Sequence, residues 1–172
     1  SFGGINLEDI SAPRCFEIER RLKEALDIPV FHDDQHGTAI VVSAALINAC
    51  RLTGKRIKDL NIVVDGAGAA GTAISKMLLN LGVNDLFLVD SHGIICKERK
   101  ENMNWAKEEM AELSDREGRS GTLEDALAGS DVFIGVSKAD ILTVEMIRTM
   151  ADAPFIFALA NPNPEIRPEL AR

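Results

Sequence analysis

The chain has 172 residues, enough for one α/β domain with an appendage and a well-filled core. With 46% apolar residues and a formal net charge of −8, it argues against nucleic acid or an anionic membrane as partner. Cys15, Cys50 and Cys96 are odd in number, widely spaced and form no Cys-x-x-Cys pair. They speak for a reducing, cytoplasmic setting and against a disulfide framework or a thiolate zinc site.

In chain order, Ser11–Leu26 reads as a helix with a serine cap and Pro13 in its first turn. Ile28–Phe31 is a short strand that leads into a polar turn, His32–His36. Gly37–Leu52 is nearly all apolar, so it reads as a buried helix. Thr53–Lys58 is a linker. Beyond it strands and helices alternate, the sign of a parallel sheet. Strands are expected at Asn61–Val64, Asp85–Val89, Val132–Val136 and Phe155–Leu159. Helices are expected at Ala69–Leu81, Asn102–Leu113, Leu123–Ala128 and Val144–Met150. Arg99–Glu117 is charge-rich and reads as a solvated helix. No apolar run reaches membrane-spanning length, and no signal peptide is visible.

The fold class is therefore α/β: a Rossmann-like, doubly wound, mainly parallel sheet preceded by a helical segment from an adjoining domain. The expected division is residues 1–52 and residues 53–172. The central motif is Val63-Val64-Asp65-Gly66-Ala67-Gly68-Ala69-Ala70-Gly71. It reads as strand, Gly-x-Gly-x-x-Gly turn and helix. The first glycine allows the bend, the second admits a pyrophosphate, and the third lets helix and strand pack closely. Phosphates then meet free N–H groups and the positive end of a helix dipole. Gly66, Ala67, Gly68, Ala69, Ala70 and Gly71 are thus candidate cofactor contacts.

Asp90 ends the second strand, 19 residues past Gly71. An acid there accepts hydrogen bonds from an adenosine ribose and repels a 2′-phosphate, which favours NAD. Lys97, Arg99 and Lys100 lie downstream and could instead accept that phosphate, which leaves NADP open. Ligands of doubly wound sheets bind beyond the carboxyl ends of the strands. Ser137-Lys138 and Asn161-Pro162 occupy such ends. Each is either an ordinary turn or, for Ser137, a cofactor contact and, for Asn161, an amide that points into the cleft, placed to bind a carboxylate or a cofactor amide.

Two acidic pairs precede the nucleotide motif, Glu8-Asp9 and Asp33-Asp34. Carboxylates from two loops suit a hard divalent cation, Mg²⁺ or Mn²⁺. Acids near helix starts also serve as simple caps. His32 and His36 flank the second pair and are read as hydrogen-bonding groups rather than ligands.

Longer segments carry a resemblance. Phe2-Gly3-Gly4-Ile5-Asn6-Leu7-Glu8-Asp9-Ile10, with Ala12-Pro13 and Cys15–Glu19, resembles the metal-site segment of bacterial malic enzymes. Val30–Ala39 is similar to that family's second acidic signature. Gly66–Gly71 and Phe157–Pro162 match two further blocks in the same order, so the likeness covers essentially the whole chain. It implies oxidative decarboxylation of L-malate to pyruvate and CO₂ with reduction of NAD or NADP. It also implies Glu8, Asp9 and Asp34 as metal ligands, Asp33 lining the same site, Asn161 on the substrate, and a homo-oligomeric protein. The family's catalytic lysine and tyrosine lie in a region that precedes these segments, and this chain has no tyrosine. A central fragment, truncated within its nucleotide domain and inactive alone, is therefore expected. Two rivals remain. One is a different NAD(P)-dependent dehydrogenase, of the amino-acid or shikimate type, whose acids are caps. The other is a catalytically silent nucleotide-binding module.

Overall fold

The computed structural model describes residues 2–114 and 118–171. The last three residues of the charge-rich stretch Arg99–Glu117 lie outside the described residues, as do Ser1 and Arg172.

Two short parallel strands open the chain, β1 (Ile5–Leu7) and β2 (Val30–His32), with helix α1 (Arg14–Ala25) between them. The expected serine cap is not there. Pro13 is the N-cap, and Ser11 instead accepts the Cys15 amide on its main-chain carbonyl at 3.2 Å. A prolyl N-cap needs no partner for an N–H it lacks. The predicted polar turn is a π-helical turn, Asp33–Gly37, which runs directly into α2 (Thr38–Thr53). Gly54 closes α2 in the left-handed conformation, with its amide on the Cys50 carbonyl.

The expected burial of α2 holds on one face only. Ala39, Val42, Ser43, Leu46 and Cys50 recur at helical spacing and are buried, while Ile40, Val41 and Leu52 are exposed. A helix packed on one side buries one stripe, whatever its composition.

The main sheet has the strand order β5-β4-β3-β6-β7. Its strands are β3 (Asn61–Asp65), β4 (Asp85–Asp90), β5 (Gly93–Ile94), β6 (Val132–Gly135) and β7 (Phe155–Ala158). Every pairing is parallel except β4 with the unpredicted β5, a tight antiparallel return at the edge. Helices α3 (Ala69–Asn80), α4 (Trp105–Ser114), α5 (Leu123–Leu127) and α6 (Val144–Thr149) connect them. Strand β4 lies on one side of β3 and β6 on the other. The order reverses there, so the crevice opens where β3 and β6 end.

Two cores sandwich the sheet. On one face Ile62, Val64, Leu86, Leu88 and Ile134 pack with Leu46 of α2, Ile74 and Leu78 of α3, and Met110 of α4. On the other, Val63, Val89 and Phe133 pack with Ala126 and Leu127 of α5 and with Leu142 and Met150. Strands buried on both sides read as unbroken apolar runs, as these do. Helix α2 and the strands beyond residue 53 therefore share one core. Helix α4 departs from the solvated helix expected: Ala106, Lys107, Met110, Ala111 and Ser114 are buried.

Phe133 is fully buried at the centre of the second core. Phe133→Ala should lower unfolding free energy by about 3–5 kcal/mol, read from the urea midpoint. An unchanged midpoint would show that this layer carries no stability.

Candidate functional site

The glycine turn lies at the crevice. Gly66 bends the chain at φ 117°, a region costly for any side chain, while its amide bonds the Val89 carbonyl at 2.8 Å. A Cβ on Gly71 would stand 1.7 Å from the Gly66 carbonyl oxygen, so α3 reaches β3 only because that atom is missing. Gly68 differs from both. No atom lies within 4 Å of where its Cβ would be, and it caps the N-terminus of α3 with an exposed backbone. That open backbone is the cradle a pyrophosphate requires. The bend at Gly66 and the close packing at Gly71 are thus both seen, and Gly68 leaves the backbone between them open.

Asp90, Ser91, His92 and Gly93 continue the crevice with Asp65, Ser137 and Lys138, around a cavity of about 420 Å³. Asp90, expected to accept from a ribose, already has protein partners. Its Oδ2 accepts from Lys107 Nζ at 2.6 Å, Arg99 Nη2 at 2.8 Å and Asn102 at 3.4 Å, and its Oδ1 accepts the His92 amide at 2.8 Å. Arg99 and Lys107 are themselves nearly buried. Burial works to raise the Asp90 carboxyl, but these bonds outweigh it and hold it below the usual range. Two cations face one carboxylate, so the cluster carries net positive charge. Arg99 serves Asp90 and the Gly93 carbonyl, and Lys97 pairs with Glu112 at 2.9 Å.

Ser137 at the β6 exit is held from two sides. Its amide donates to Glu165 Oε1 at 3.1 Å and its hydroxyl to Asp65 Oδ2. The other Glu165 oxygen accepts the Ala160 amide at 3.0 Å, beside Asn161 at the β7 exit, so the two strand ends are tied together. Asn161 is exposed there. Asp65, Glu165 and Lys107 escaped the sequence reading. Asp65 stands in plain view before Gly66, and its place at a strand end was the available signal. Lys107 was hidden in a stretch that reads as solvated. Glu165 had no signal, because its carboxyl meets Gly135 only in the folded chain.

The acidic pairs come together where β1 and β2 end. The parallel register Leu7↔His32 sets Glu8-Asp9 beside Asp33-Asp34. The Asp9 amide donates to Asp34 Oδ2 at 2.8 Å, with Asp9 at φ 55°. Yet among the described residues no three His, Cys, Asp or Glu side chains form a metal-binding group. Asp34 is turned onto a main-chain amide, and Glu8 accepts from Asn6 at 2.7 Å. The donors themselves, all oxygen and on adjoining strand ends, fit a hard divalent cation. Asp33 faces a second cavity of about 520 Å³, with Thr38, Val41, Val42, Phe157 and Leu159. The π-helical turn that carries both acids packs against α3, the helix that the glycine turn begins.

His36 Nε2 bonds Glu19 at 2.7 Å, which supports its reading as a hydrogen-bonding group. His32 is fully buried at the end of β2.

The glycines give a paired test. Gly68→Ala should leave the melting temperature nearly unchanged yet weaken dinucleotide binding by at least about tenfold, since the new methyl enters only the phosphate's space. Gly71→Ala should destabilise the fold severely. Calorimetry and thermal unfolding check both, and tight binding by Gly68→Ala would remove the phosphate role.

The comparisons agree with this geometry. The family model "Malic enzyme, NAD binding domain" matches residues 35–169. The chain is 55% identical to the bifunctional malic/malolactic enzyme of Bacillus subtilis, with 100% of this chain and 42% of that protein covered. It is 57% identical to the NAD-dependent malic enzyme of Geobacillus stearothermophilus, covering 99% of this chain and 36% of that protein. Among solved structures, an NAD-dependent malic enzyme from Thermotoga maritima superposes with a TM-score of 0.96 at 56% identity, over 99% of this chain and 46% of the other. The chain thus spans less than half the length of these relatives. With a glycine turn at the topological switch point and a family match over most of its length, this chain belongs to the malic enzyme NAD-binding domain family.

Proposed function

We propose that the chain is the dinucleotide-binding part of a malic enzyme that oxidises L-malate and decarboxylates it to pyruvate and CO₂. The observation that carries this reading is the packing of the acid-bearing π-helical turn on α3. One helix joins a hydride-acceptor site to a cluster of hard oxygen donors. A simple nucleotide-binding module has no need of the second.

In this reading residues 1–52 form the metal side and residues 53–172 the nucleotide side. The main-chain amides of Gly66–Gly71 hold the pyrophosphate, and Ser137 contacts the cofactor from the β6 exit. Glu8, Asp9 and Asp34 hold the cation, and Asp33 lines the adjoining cavity. Asn161 presents its amide to a substrate carboxylate and to the nicotinamide end of the cofactor. When bound, the dinucleotide supplies the hydride acceptor, and Mg²⁺ or Mn²⁺ supplies the positive charge that steadies the C2 oxygen during oxidation and decarboxylation. Substrate and cofactor would be kept in attack geometry by these fixed strand ends. A homo-oligomer in the cytoplasm is the proposed setting of the whole protein, with malate its small-molecule partner. No helix among the described residues is long and apolar enough to cross a membrane.

Two outcomes test this in the full-length enzyme. Asp34→Ala should lower turnover by more than about 100-fold while dinucleotide affinity stays near wild type, because the two sites use different residues. Near-normal turnover at ordinary Mn²⁺ would make the acids caps. For the cofactor, Arg99 and Lys107 offset the charge of Asp90, so a 2′-phosphate meets no net repulsion. NAD should be preferred over NADP by no more than about tenfold in kcat/KM, a difference of about 1.4 kcal/mol. A hundredfold preference for either cofactor would contradict the neutralised-acid picture.

A further inference from the structure

Asp65 ends β3, directly before the glycine turn, and lines the crevice cavity although its residue is only 5% exposed. Its Oδ2 accepts the Ser137 hydroxyl. Behind Ser137 lies a second carboxyl, Glu165, fully buried, with an amide on each oxygen. Two acids are thus joined through one serine beside the crevice cavity, the first of them one residue before the glycine turn begins. Nothing in the mechanism above uses this pair.

The surroundings of Asp65 define its charge. From the segment after β7 comes Glu165. From the β4 exit comes Asp90, already bound to Arg99 and Lys107, with His92 further along the same cavity wall. From the β6 exit come Ser137 and Lys138. Burial pushes the Asp65 carboxyl above the usual carboxylate range. The Ser137 hydroxyl works against that rise, Glu165 and Asp90 add to it, and Lys138 opposes it.

Resting on the dinucleotide reading of the glycine turn, we propose that Asp65 is a further residue of the cofactor pocket and enters the complex as the neutral carboxylic acid. The step is one protonation. The carboxylate takes a proton from solvent as the pyrophosphate arrives, and no other bond is made or broken. An ionised Asp65 would set a third negative charge against the two of the pyrophosphate, in a partly dry crevice where such repulsion is weakly screened. The neutral acid removes that repulsion and keeps its bond to Ser137. Linkage gives the sign. Raised acids hold their proton at low pH, so affinity is greatest there. It falls as pH rises through the Asp65 titration, by at most about one decade per pH unit.

Isothermal titration of the full-length enzyme with NAD tests this, from about pH 5.5 to about pH 8.5, in two buffers of different ionisation heat. The expected result is uptake of part of a proton per NAD bound, with affinity falling about tenfold or more over the range. Asp65→Asn should bind NAD with the low-pH affinity of the wild type throughout and take up no proton. Ser137→Ala, which strips a hydroxyl from the carboxylate, should move the uptake to higher pH. The wild-type proton count needs no variant to fold. NAD binding without proton uptake overturns the proposal and leaves the dinucleotide reading intact. So does uptake that persists in Asp65→Asn, which would assign the proton to His92 or another group. Absence of NAD binding at every pH overturns both.

Discussion

The contact between α3 and β3 at Gly71 organises this molecule. The helix can lie against the strand end only because Gly71 has no side chain, and a methyl there would overlap the Gly66 carbonyl. That close approach aims the helix N-terminus at the crevice between β3 and β6. It also sets the height at which α3 meets α2 and the π-helical turn. The nucleotide cradle and the packing of α3 in the first core both follow from one backbone-to-backbone approach. Gly66 is the companion constraint, since its Cβ would strike the Val136 carbonyl at 2.8 Å. The turn is thus pinned between two parallel strands and cannot drift.

Charge in the crevice is managed by local pairing rather than by the protein's overall field. The chain is acidic as a whole, which opposes an anionic ligand. Around the pocket, however, Arg99 and Lys107 converge on Asp90, and Asp65 is desolvated between Ser137 and the sheet. The two carboxyls at neighbouring strand ends are therefore driven in opposite directions. Asp90 is held ionised by its cations, and its contribution to stability is present above its unfolded pKa and lost only as pH falls through its lowered folded value. Asp65 is pushed the other way, so its contribution fades as pH rises through its raised folded value. The carboxyl end of the sheet thus holds a permanent charge beside a conditional one.

The acidic pairs obey a different logic. A parallel ladder of three residues per strand is a small device, yet it sets Glu8-Asp9 against Asp33-Asp34 across the chain of α1. The Asp9 amide bond to Asp34 fastens the two loops. Glu8, Asp9 and Asp33 are exposed, and Asp33 alone of the four acids lines the apolar cavity of α2 and β7.

Much of this was legible in the residues. The alternation of apolar runs with amphipathic stretches revealed the parallel strands, because strands buried on both faces must be apolar throughout. The Gly-x-Gly-x-x-Gly spacing located the crevice, because each glycine answers a local steric demand that composition alone can state. Distant meetings were not legible. The partners of Asp90 lie 9 and 17 residues away, and Glu165 meets Ser137 28 residues back in sequence. Such contacts depend on where strand ends arrive after the sheet has closed, and no short-range pattern encodes them. The same holds for α2, whose composition predicts burial on every side while its packing buries one stripe. Local sterics and hydrophobic periodicity are written residue by residue. Which charges are neutralised, which are stranded and which faces stay wet are settled by the folded arrangement, because burial and pairing are properties of neighbours in space.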